Sequence, residues 1–298
     1  MSSMYLFDRF WHRLLKRPYR LARIIDQGSG PTVVLLHGIG RSAGVWQHVV
    51  EALGQDTCRV LAYDLLGFGA SPKPAWPDYD IDDHASSVIA SIKKLHPKVP
   101  MVLVGHSMGC LVAVRVARLR PDLVKQLVLY EMPLYEGLPN KRSYQMRLDL
   151  YFKLFQQITR LRPTFNPDTA HLVERLARRV VGAEINAKTW QPFVKSLEHT
   201  IMEQTAADDI KLLQMPMDVI YGSRDMLVIR GKAKQIFGTD TPNITAHTIR
   251  ARHTISVKAS KFLVERIVIA LQAAPDKAGH SRLKDIAAAK RKAIKLIG

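Results

Sequence analysis

Short apolar runs alternate with amphipathic segments along most of the chain. The runs at residues 32–36, 58–63, 101–104 and 124–130 are largely apolar, as expected for strands that are buried on both faces of a sheet. The segments between them carry apolar residues at the spacing of one helix face. This alternation predicts an α/β protein whose mostly parallel sheet is flanked by helices.

Two further apolar runs, at residues 217–221 and 244–249, continue the sheet towards the C-terminus, and residues 19–26 predict a strand before the first buried one. Glycine, proline and capping residues mark the ends of the intervening segments. The predicted helices cover residues 45–53, 81–95, 109–120, 227–237 and 257–272.

A long helical stretch interrupts the sheet pattern. Residues 144–207 show only helical periodicity, broken by prolines, and contain no candidate strand. We therefore predict a helical cap at residues 133–209, inserted into a core formed by residues 19–132 and 210–272. The first cap helices are rich enough in apolar residues to line a lidded pocket, although for any single residue packing between helices is the simpler interpretation. These residues are Tyr144, Met146, Leu148, Tyr151, Phe152, Leu154, Phe155 and Ile158.

The apolar run at residues 101–104 ends in a Gly-x-Ser-x-Gly pattern at residues 105–109, and a helical pattern follows at once. A strand that turns sharply into a helix strains and exposes the residue at the turn, which here is Ser107. Small residues are needed two positions before and after it, and Gly105 and Gly109 occupy those positions. The N-terminus of the following helix favours negative charge beside Ser107. The pattern predicts a nucleophilic serine.

Both ends of the chain are basic. The net charge is +18; residues 1–25 hold six Lys and Arg against one acidic residue, and residues 276–298 hold seven against two. Residues 1–18 predict an amphipathic helix that lies on an anionic membrane surface or docks on the protein's own body; a mitochondrial presequence would show the same pattern. Residues 273–298 predict a basic tail. Aromatic residues are few at these ends and no nucleic-acid-binding module is recognisable, which argues against nucleic acid as the partner.

Several classes of protein are excluded by what the sequence lacks. No stretch reaches the ~18 apolar residues of a membrane span, and we expect no secretory signal. Two cysteines, Cys58 and Cys110, do not form a disulfide framework, so we expect a cytoplasmic protein that is peripheral to a membrane if its basic ends bind one. Without a C-x-x-C, an H-E-x-x-H or a complete dinucleotide-binding glycine motif, we expect neither a metal nor an organic cofactor.

Taken together, these motifs resemble those of α/β-hydrolase fold enzymes with a helical cap. The matching pieces occur in the order usual for that family and span roughly residues 20–272. They are His37-Gly38 after a strand, the loop from Asp64 to Ser71 with Gly67 and Gly69, the elbow at residues 105–109, Gly222-Ser223-Arg224-Asp225, and Arg252-His253. A serine at the elbow argues against the family's dehalogenases and epoxide hydrolases, which carry an aspartate there.

The resemblance implies roles for five residues. Ser107 is the implied nucleophile, His253 the base that accepts its proton, and Asp225 the acid that orients His253. The backbone N–H groups of Ile39 and Met108 are the implied donors of an oxyanion hole.

Two alternatives to these assignments are left open by the sequence. Glu131, at the end of the strand at residues 124–130, is the alternative acid, because some relatives carry the acid there; the strand-Gly-x-x-Asp context favours Asp225. His247 competes with His253, but it falls inside a predicted strand and is interpreted as structural.

The function implied by this resemblance is that of a carboxylesterase-like serine hydrolase, which cleaves a carboxylic ester or related acyl substrate through an acyl-enzyme. A small apolar acyl or ester compound would suit a lidded pocket. The same triad also serves hydrolases that cleave the carbon–carbon bond of a vinylogous β-diketone, and a ligand-sensing protein can retain the fold with little turnover. The sequence does not choose among these.

Overall fold

The fold is built on a seven-stranded, mostly parallel sheet. In the computed structural model the strands are β1 (Arg23–Gln27), β2 (Thr32–Leu36), β3 (Arg59–Tyr63), β4 (Met101–His106), β5 (Val124–Tyr130), β6 (Met217–Gly222) and β7 (Ile244–Ile249). Their order in the sheet is β1-β3-β2-β4-β5-β6-β7. Only β1 is antiparallel to its neighbour, β3. The loops that follow the parallel strands therefore meet at one edge of the sheet, where ligands bind in open α/β folds.

The structure describes most of the chain except the two ends, the first part of the predicted cap and the segment after β6. The described residues are 10–15, 17–95, 99–134, 182–225 and 241–273, with isolated positions between 153 and 178. The predicted helix at residues 227–237 and all but the first residue of the tail at residues 273–298 lie outside this part of the chain.

Six α-helices accompany the sheet in the described part of the chain. They are α1 (Gln47–Leu53), α2 (Ile81–Lys93), α3 (Met108–Leu119), α4 (Trp190–Ser196), α5 (Ala206–Lys211) and α6 (Val257–Gln272). Successive strand residues point to opposite faces of the sheet. Accordingly, Val34 and Leu36 of β2 pack in the core beneath α2 and α3, whereas Val33 and Leu35 pack in the core beneath α1 and α6.

The first strand is shorter than predicted. Residues 19–22, which the sequence assigns to a strand, lie outside β1, and side-chain hydroxyls bind two of their backbone N–H groups. The N–H of Leu21 donates to Ser91 Oγ and that of Ala22 donates to Ser71 Oγ, each at 2.8 Å. Other strands and helices begin and end within about two residues of the predicted bounds, as is usual for element ends.

The predicted N-terminal helix differs from the structure in its geometry. Its described part, Phe10–Leu14, is a π-helical turn in which the N–H of Leu15 donates to the carbonyl of Phe10 at 3.1 Å. Residues 1–9 lie outside the described part. No helix among the described residues is long and apolar enough to cross a bilayer.

The later part of the predicted cap is largely helical from Trp190, whereas residues 182–189 form irregular chain and a turn. There α4 is followed by a π-helical segment, Leu197–Met202, and by α5. Lys195 of α4 is buried and its Nζ donates to the carbonyls of Ala75 and Pro77 in the loop before α2. His84 of α2 is bonded to Ser196 Oγ at 3.0 Å. These contacts fasten α4 to the body of the protein.

Candidate active site

Ser107 lies between β4 and α3 in a strained backbone conformation. Its φ is +53° and its ψ is −123°, values that an L-residue adopts only when its surroundings hold it there. Close packing excludes side chains at the flanking glycines. A Cβ at Gly105 would lie 2.6 Å from the Cα of Cys110, and one at Gly109 would lie 2.3 Å from the carbonyl oxygen of Leu36. The glycines therefore allow the turn that presents Ser107.

Ser107, His253 and Asp225 form one chain of hydrogen bonds. Ser107 Oγ lies 3.0 Å from His253 Nε2, and His253 Nδ1 lies 2.7 Å from Asp225 Oδ2. All three residues are buried, with relative exposures of 3–5%. Because a carboxylate oxygen can only accept, Nδ1 is the protonated nitrogen and Nε2 is free to accept the serine proton. This arrangement can activate a serine hydroxyl for attack on a carbonyl carbon.

The ends of β6 and β7 bring Asp225 to His253. The N–H of Ser223 donates to the carbonyl of Ile249 at 2.7 Å, and that of Arg224 donates to the carbonyl of Ala251 at 2.9 Å. These bonds join the Gly-x-x-Asp turn after β6 to the loop after β7. Asp225 and His253 are thereby held close together, although 27 residues separate them in the chain.

Glu131, the alternative acid, lies beside Asp225. It follows β5 with a φ of +54° and is fully buried. Its Oε1 accepts the N–H of Gly222 at 2.6 Å. Burial and then the neighbouring Asp225 carboxylate raise its pKa to about 10, so it retains its proton at neutral pH. His253 Nδ1 donates its hydrogen bond to Asp225, whereas Glu131 contributes a neutral carboxyl group beside Asp225.

The loop after β2 lies directly against Ser107. A Cβ on Gly38 would be 3.0 Å from the Cβ of Ser107, so any larger residue would crowd this approach. His37 holds the loop, because its Nε2 accepts the N–H of Leu65 and its Nδ1 donates to the carbonyl of Gly38, both at 2.8 Å. Burial lowers the His37 pKa to about 4, which keeps the ring neutral in this role. Ile39 directly follows Gly38 in this loop.

Met108 is the first residue of α3, so its N–H has no partner within the helix and lies at the positive end of the helix dipole. Both Met108 and Ile39 are buried, with exposures of 0% and 4%. Backbone N–H groups near a buried serine are suited to stabilising a developing oxyanion.

His106 has a role that the sequence did not reveal. Its Nε2 donates to the backbone carbonyl of His253 at 2.7 Å. Burial lowers its pKa to about 3, so the ring is neutral and serves as a donor. It therefore steadies the loop that carries His253. No sequence spacing could have indicated this bond, because it joins residues 147 positions apart.

Residues from the predicted cap cover the loops beside Ser107. The N–H of Glu184 donates to the carbonyl of Gly40 at 2.7 Å. A Cβ on Gly40 would meet the side chains of Ala183 and Phe193, and one on Gly67 would meet Pro192. Of the apolar cap residues proposed from the sequence to line a pocket, only Ile158 lies in the described part, where it is buried in the core. The other seven lie outside it.

A group of potential metal ligands in the described part of the chain consists of Glu131, Asp225 and His253, whose ligand atoms lie within 4.8 Å of one another. A cation there would compete with the existing bond between Asp225 and His253. It would also require deprotonation of Glu131, whose pKa is about 10. The group is better suited to holding protons than to binding a metal ion.

Comparison with known proteins places this site in a family. Residues 31–256 match the family described as the alpha/beta hydrolase fold. Over 110 residues the chain is 36% identical to a probable lysophospholipase, BODYGUARD 4, from Arabidopsis thaliana; the match covers 37% of this chain and 26% of that protein. Over 102 residues it is 42% identical to a pimeloyl-[acyl-carrier protein] methyl ester esterase from Chromobacterium violaceum, covering 34% and 37%. The chain thus matches less than two fifths of either relative's length.

Solved structures agree on the fold. A thermophilic esterase from Thermogutta terrifontis superposes with a TM-score of 0.63 at 21% identity, covering 83% of this chain and 91% of that one. The enol-lactonase from Burkholderia xenovorans LB400 gives a TM-score of 0.61 at 19% identity, covering 85% and 96%. Because the family match extends over most of the chain, from β2 to the residue before α6, we conclude that the chain belongs to the α/β-hydrolase fold family.

Proposed function

We propose that this protein is a serine hydrolase that cleaves a carboxylic ester or related acyl compound through an acyl-enzyme. The observation that carries the proposal is the continuous hydrogen-bonded chain from Ser107 Oγ through His253 to Asp225. The esterase and lysophospholipase names of its relatives are consistent with this chemistry.

In the first step, Ser107 Oγ attacks the carbonyl carbon of the ester while its proton passes to His253 Nε2. Asp225 stabilises the imidazolium that forms. The carbonyl oxygen becomes an oxyanion, which the N–H groups of Ile39 and Met108 stabilise. The tetrahedral intermediate then expels the alkoxide, which takes the proton from His253 and leaves as the alcohol.

In the second step, water attacks the acyl carbon of the serine ester and gives a proton to His253. Collapse of this second intermediate returns the proton to Ser107 Oγ and releases the carboxylic acid. The net reaction is ester plus water to acid plus alcohol, and the enzyme is regenerated without a cofactor.

An apolar acyl group is the substrate portion we propose. The side chains of Phe193, Ala183 and Pro192 pack against the glycines of the loops beside Ser107. An acyl chain held among such side chains loses contact with water, which favours binding by burial of apolar surface.

The proposal is tested by labelling and by a substrate series. A fluorophosphonate probe should label the wild type and Ser86→Ala, a control serine on α2, but not Ser107→Ala. Hydrolysis of p-nitrophenyl esters from acetyl to long acyl should fall at least ~10³-fold in Ser107→Ala and remain near the wild-type rate in Ser86→Ala. Rates that rise with acyl length would support an apolar acyl pocket.

Two outcomes would contradict the proposal in different ways. A wild type that is labelled at Ser107 but hydrolyses no ester would favour carbon–carbon bond hydrolysis, to be checked with a vinylogous β-diketone. A folded wild type that binds acyl compounds but is neither labelled nor active would favour a ligand-sensing protein.

A further inference from the structure

The N-terminal segment turns its apolar side chains towards solvent. Phe10, Trp11, Leu14 and Leu15 are 51%, 41%, 69% and 45% exposed. They account for four of the nine large hydrophobic residues that are exposed in the described part of the chain, and they lie within six consecutive residues. A patch of this kind marks an interaction surface, because single exposed apolar residues are common but clusters are not.

The segment is attached to the body through a polar residue. The ring of His12 stacks on the ring of Tyr19, with centroids 3.6 Å apart, and Tyr19 in turn packs near Trp76 at 5.7 Å. His12 is the one half-buried residue among residues 10–15. An amphipathic helix that docked on its own protein would bury its apolar side. In residues 10–15 the apolar side chains are exposed instead, so this part of the segment does not bury an apolar side against the body.

Positive charge surrounds the apolar patch. Arg13, Arg17 and Arg20 are exposed, and residues 9–25 contain no acidic residue. The Arg17 guanidinium carbon lies 5.9 Å from the centroid of the Trp11 ring. Arginine beside tryptophan suits the boundary between lipid headgroups and acyl chains, where the charge meets phosphate and the ring enters the apolar layer.

We propose that residues 10–20 form a membrane-docking surface that binds anionic phospholipid and inserts Phe10, Trp11, Leu14 and Leu15 at the headgroup boundary. Apolar side chains interleaved with arginines, with no acidic residue, match the charge and polarity of such a bilayer. A nucleic acid would use the arginines but would gain nothing from exposed leucines. The proposal does not depend on the reaction catalysed at Ser107.

The docking surface is joined to the cap by a short series of contacts. Trp76, which packs near Tyr19, precedes Pro77, and the carbonyls of Ala75 and Pro77 accept hydrogen bonds from Lys195 of α4. Docking through residues 10–20 therefore holds the membrane surface next to the loop on which α4 rests.

The experiment uses the full-length protein and two kinds of vesicle. One is phosphatidylcholine alone, and the other contains about 30 mol% of the anionic lipid phosphatidylglycerol. Sedimentation should show binding to the anionic vesicles that weakens as salt is raised. The double variant Trp11→Ser/Leu14→Ser should bind at least ~10-fold more weakly. The control Leu119→Ser/Leu212→Ser, which alters two exposed leucines elsewhere, should bind as the wild type does.

A second arm tests the charge. Neutralising Arg13, Arg17 and Arg20 to Gln should weaken binding on the order of 100-fold. A control that removes the same number of charges elsewhere should change it less than about threefold, since the local arginines supply the attraction. That control is Arg118→Gln/Lys258→Gln/Lys261→Gln.

Insertion is read directly from tryptophan fluorescence. In a Trp76→Phe background, which removes the half-buried tryptophan beside Tyr19, brominated acyl chains should quench the fluorescence. Adding Trp11→Phe should then abolish that quenching, because the two remaining tryptophans, Trp46 and Trp190, are buried in the body. The proposal is overturned if wild type does not bind anionic vesicles at low salt, binds both vesicle types equally, or binds independently of Trp11 and Leu14. Retention on RNA but not on vesicles would assign the surface to nucleic acid instead.

Discussion

At the scale of the residue, Glu131 illustrates how the protonation of one carboxyl group depends on a neighbouring one. Two carboxyl groups this close in a buried site cannot both ionise without a large penalty, so the proton remains on one of them. Asp225 accepts a hydrogen bond from the His253 ring, which stabilises a negative charge on Asp225. Glu131 accepts a hydrogen bond from a backbone N–H and lies beside the Asp225 carboxylate, which disfavours a second negative charge. The proton therefore resides on Glu131.

This predicts a pH-dependent stability difference for Glu131→Gln. The folded-state pKa of Glu131 is about 10, above its usual value, so between about pH 5 and pH 9 the unfolded chain releases a proton that the folded protein keeps. The wild type therefore loses free energy of unfolding as pH rises, by up to about 1.4 kcal/mol per pH unit relative to Glu131→Gln. Urea unfolding of both proteins at pH 5, 7 and 9 measures this difference.

The control is Glu203→Gln, an exposed glutamate outside the site, which should parallel the wild type at all three pH values. A constant difference between wild type and Glu131→Gln across this range would show that Glu131 is ionised in the folded protein. The sequence identified both carboxyl groups as candidate acids, but their division of roles depends on distances that only the folded chain establishes.

At the scale of the element, the turn between β4 and α3 was predictable because local constraints define it. An apolar strand, two glycines around a serine and an apolar helix are all contiguous in the sequence. The N-terminal segment was less predictable. Its apolar spacing indicated an α-helix, whereas the structure has a π-helical turn held by the stacking of His12 on Tyr19, a contact outside the helix itself.

Gly109→Ala should disrupt this turn. The added methyl group would meet the backbone carbonyl oxygens of Leu36 and His37 at 2.3 and 2.6 Å, and a backbone atom of β2 cannot move aside as a flexible side chain can. We expect a loss of about 3 kcal/mol in the free energy of unfolding. Thermal and urea denaturation measure it.

Gly44→Ala is the matched control, because a Cβ there has its nearest neighbour, Ser42 Oγ, at 3.7 Å. Its free energy of unfolding should stay within about 0.5 kcal/mol of the wild type. Equal stability of the two variants would mean that β2 is not packed against α3 as closely as described.

At the scale of the whole molecule, a buried polar cluster ties the last strands to α6. Asp218 of β6 accepts hydrogen bonds from Gln126 of β5 at 2.8 Å, His247 of β7 at 2.7 Å and Arg266 of α6 at 2.9 Å. His247, which competed with His253 in the sequence, thus has a structural partner. The cluster fixes the sheet edge from which Asp225 and His253 extend.

Asp218→Asn should destabilise the fold strongly. The amide keeps the shape of the carboxylate but leaves the buried Arg266 guanidinium without a counter-charge, which typically costs 3–5 kcal/mol, so we expect a loss of about 3 kcal/mol in the free energy of unfolding. Asp208→Asn breaks an exposed ion pair with Lys211 and should cost less than about 1 kcal/mol. Urea denaturation measures the free energy of unfolding of both variants. Similar losses in the two would show that Arg266 is solvated.

The sequence by itself determined the order of strands and helices, the candidate nucleophile and the candidate acids, because these follow from periodicity and from motifs contained in a few neighbouring residues. The tertiary structure decided how those pieces meet. It joined Ser107 to His253 across 146 positions and brought the His106 ring within hydrogen-bonding distance of the His253 carbonyl. It also left Phe10, Trp11 and their apolar neighbours exposed to solvent. Such contacts depend on how distant elements pack, and local sequence carries no record of that packing.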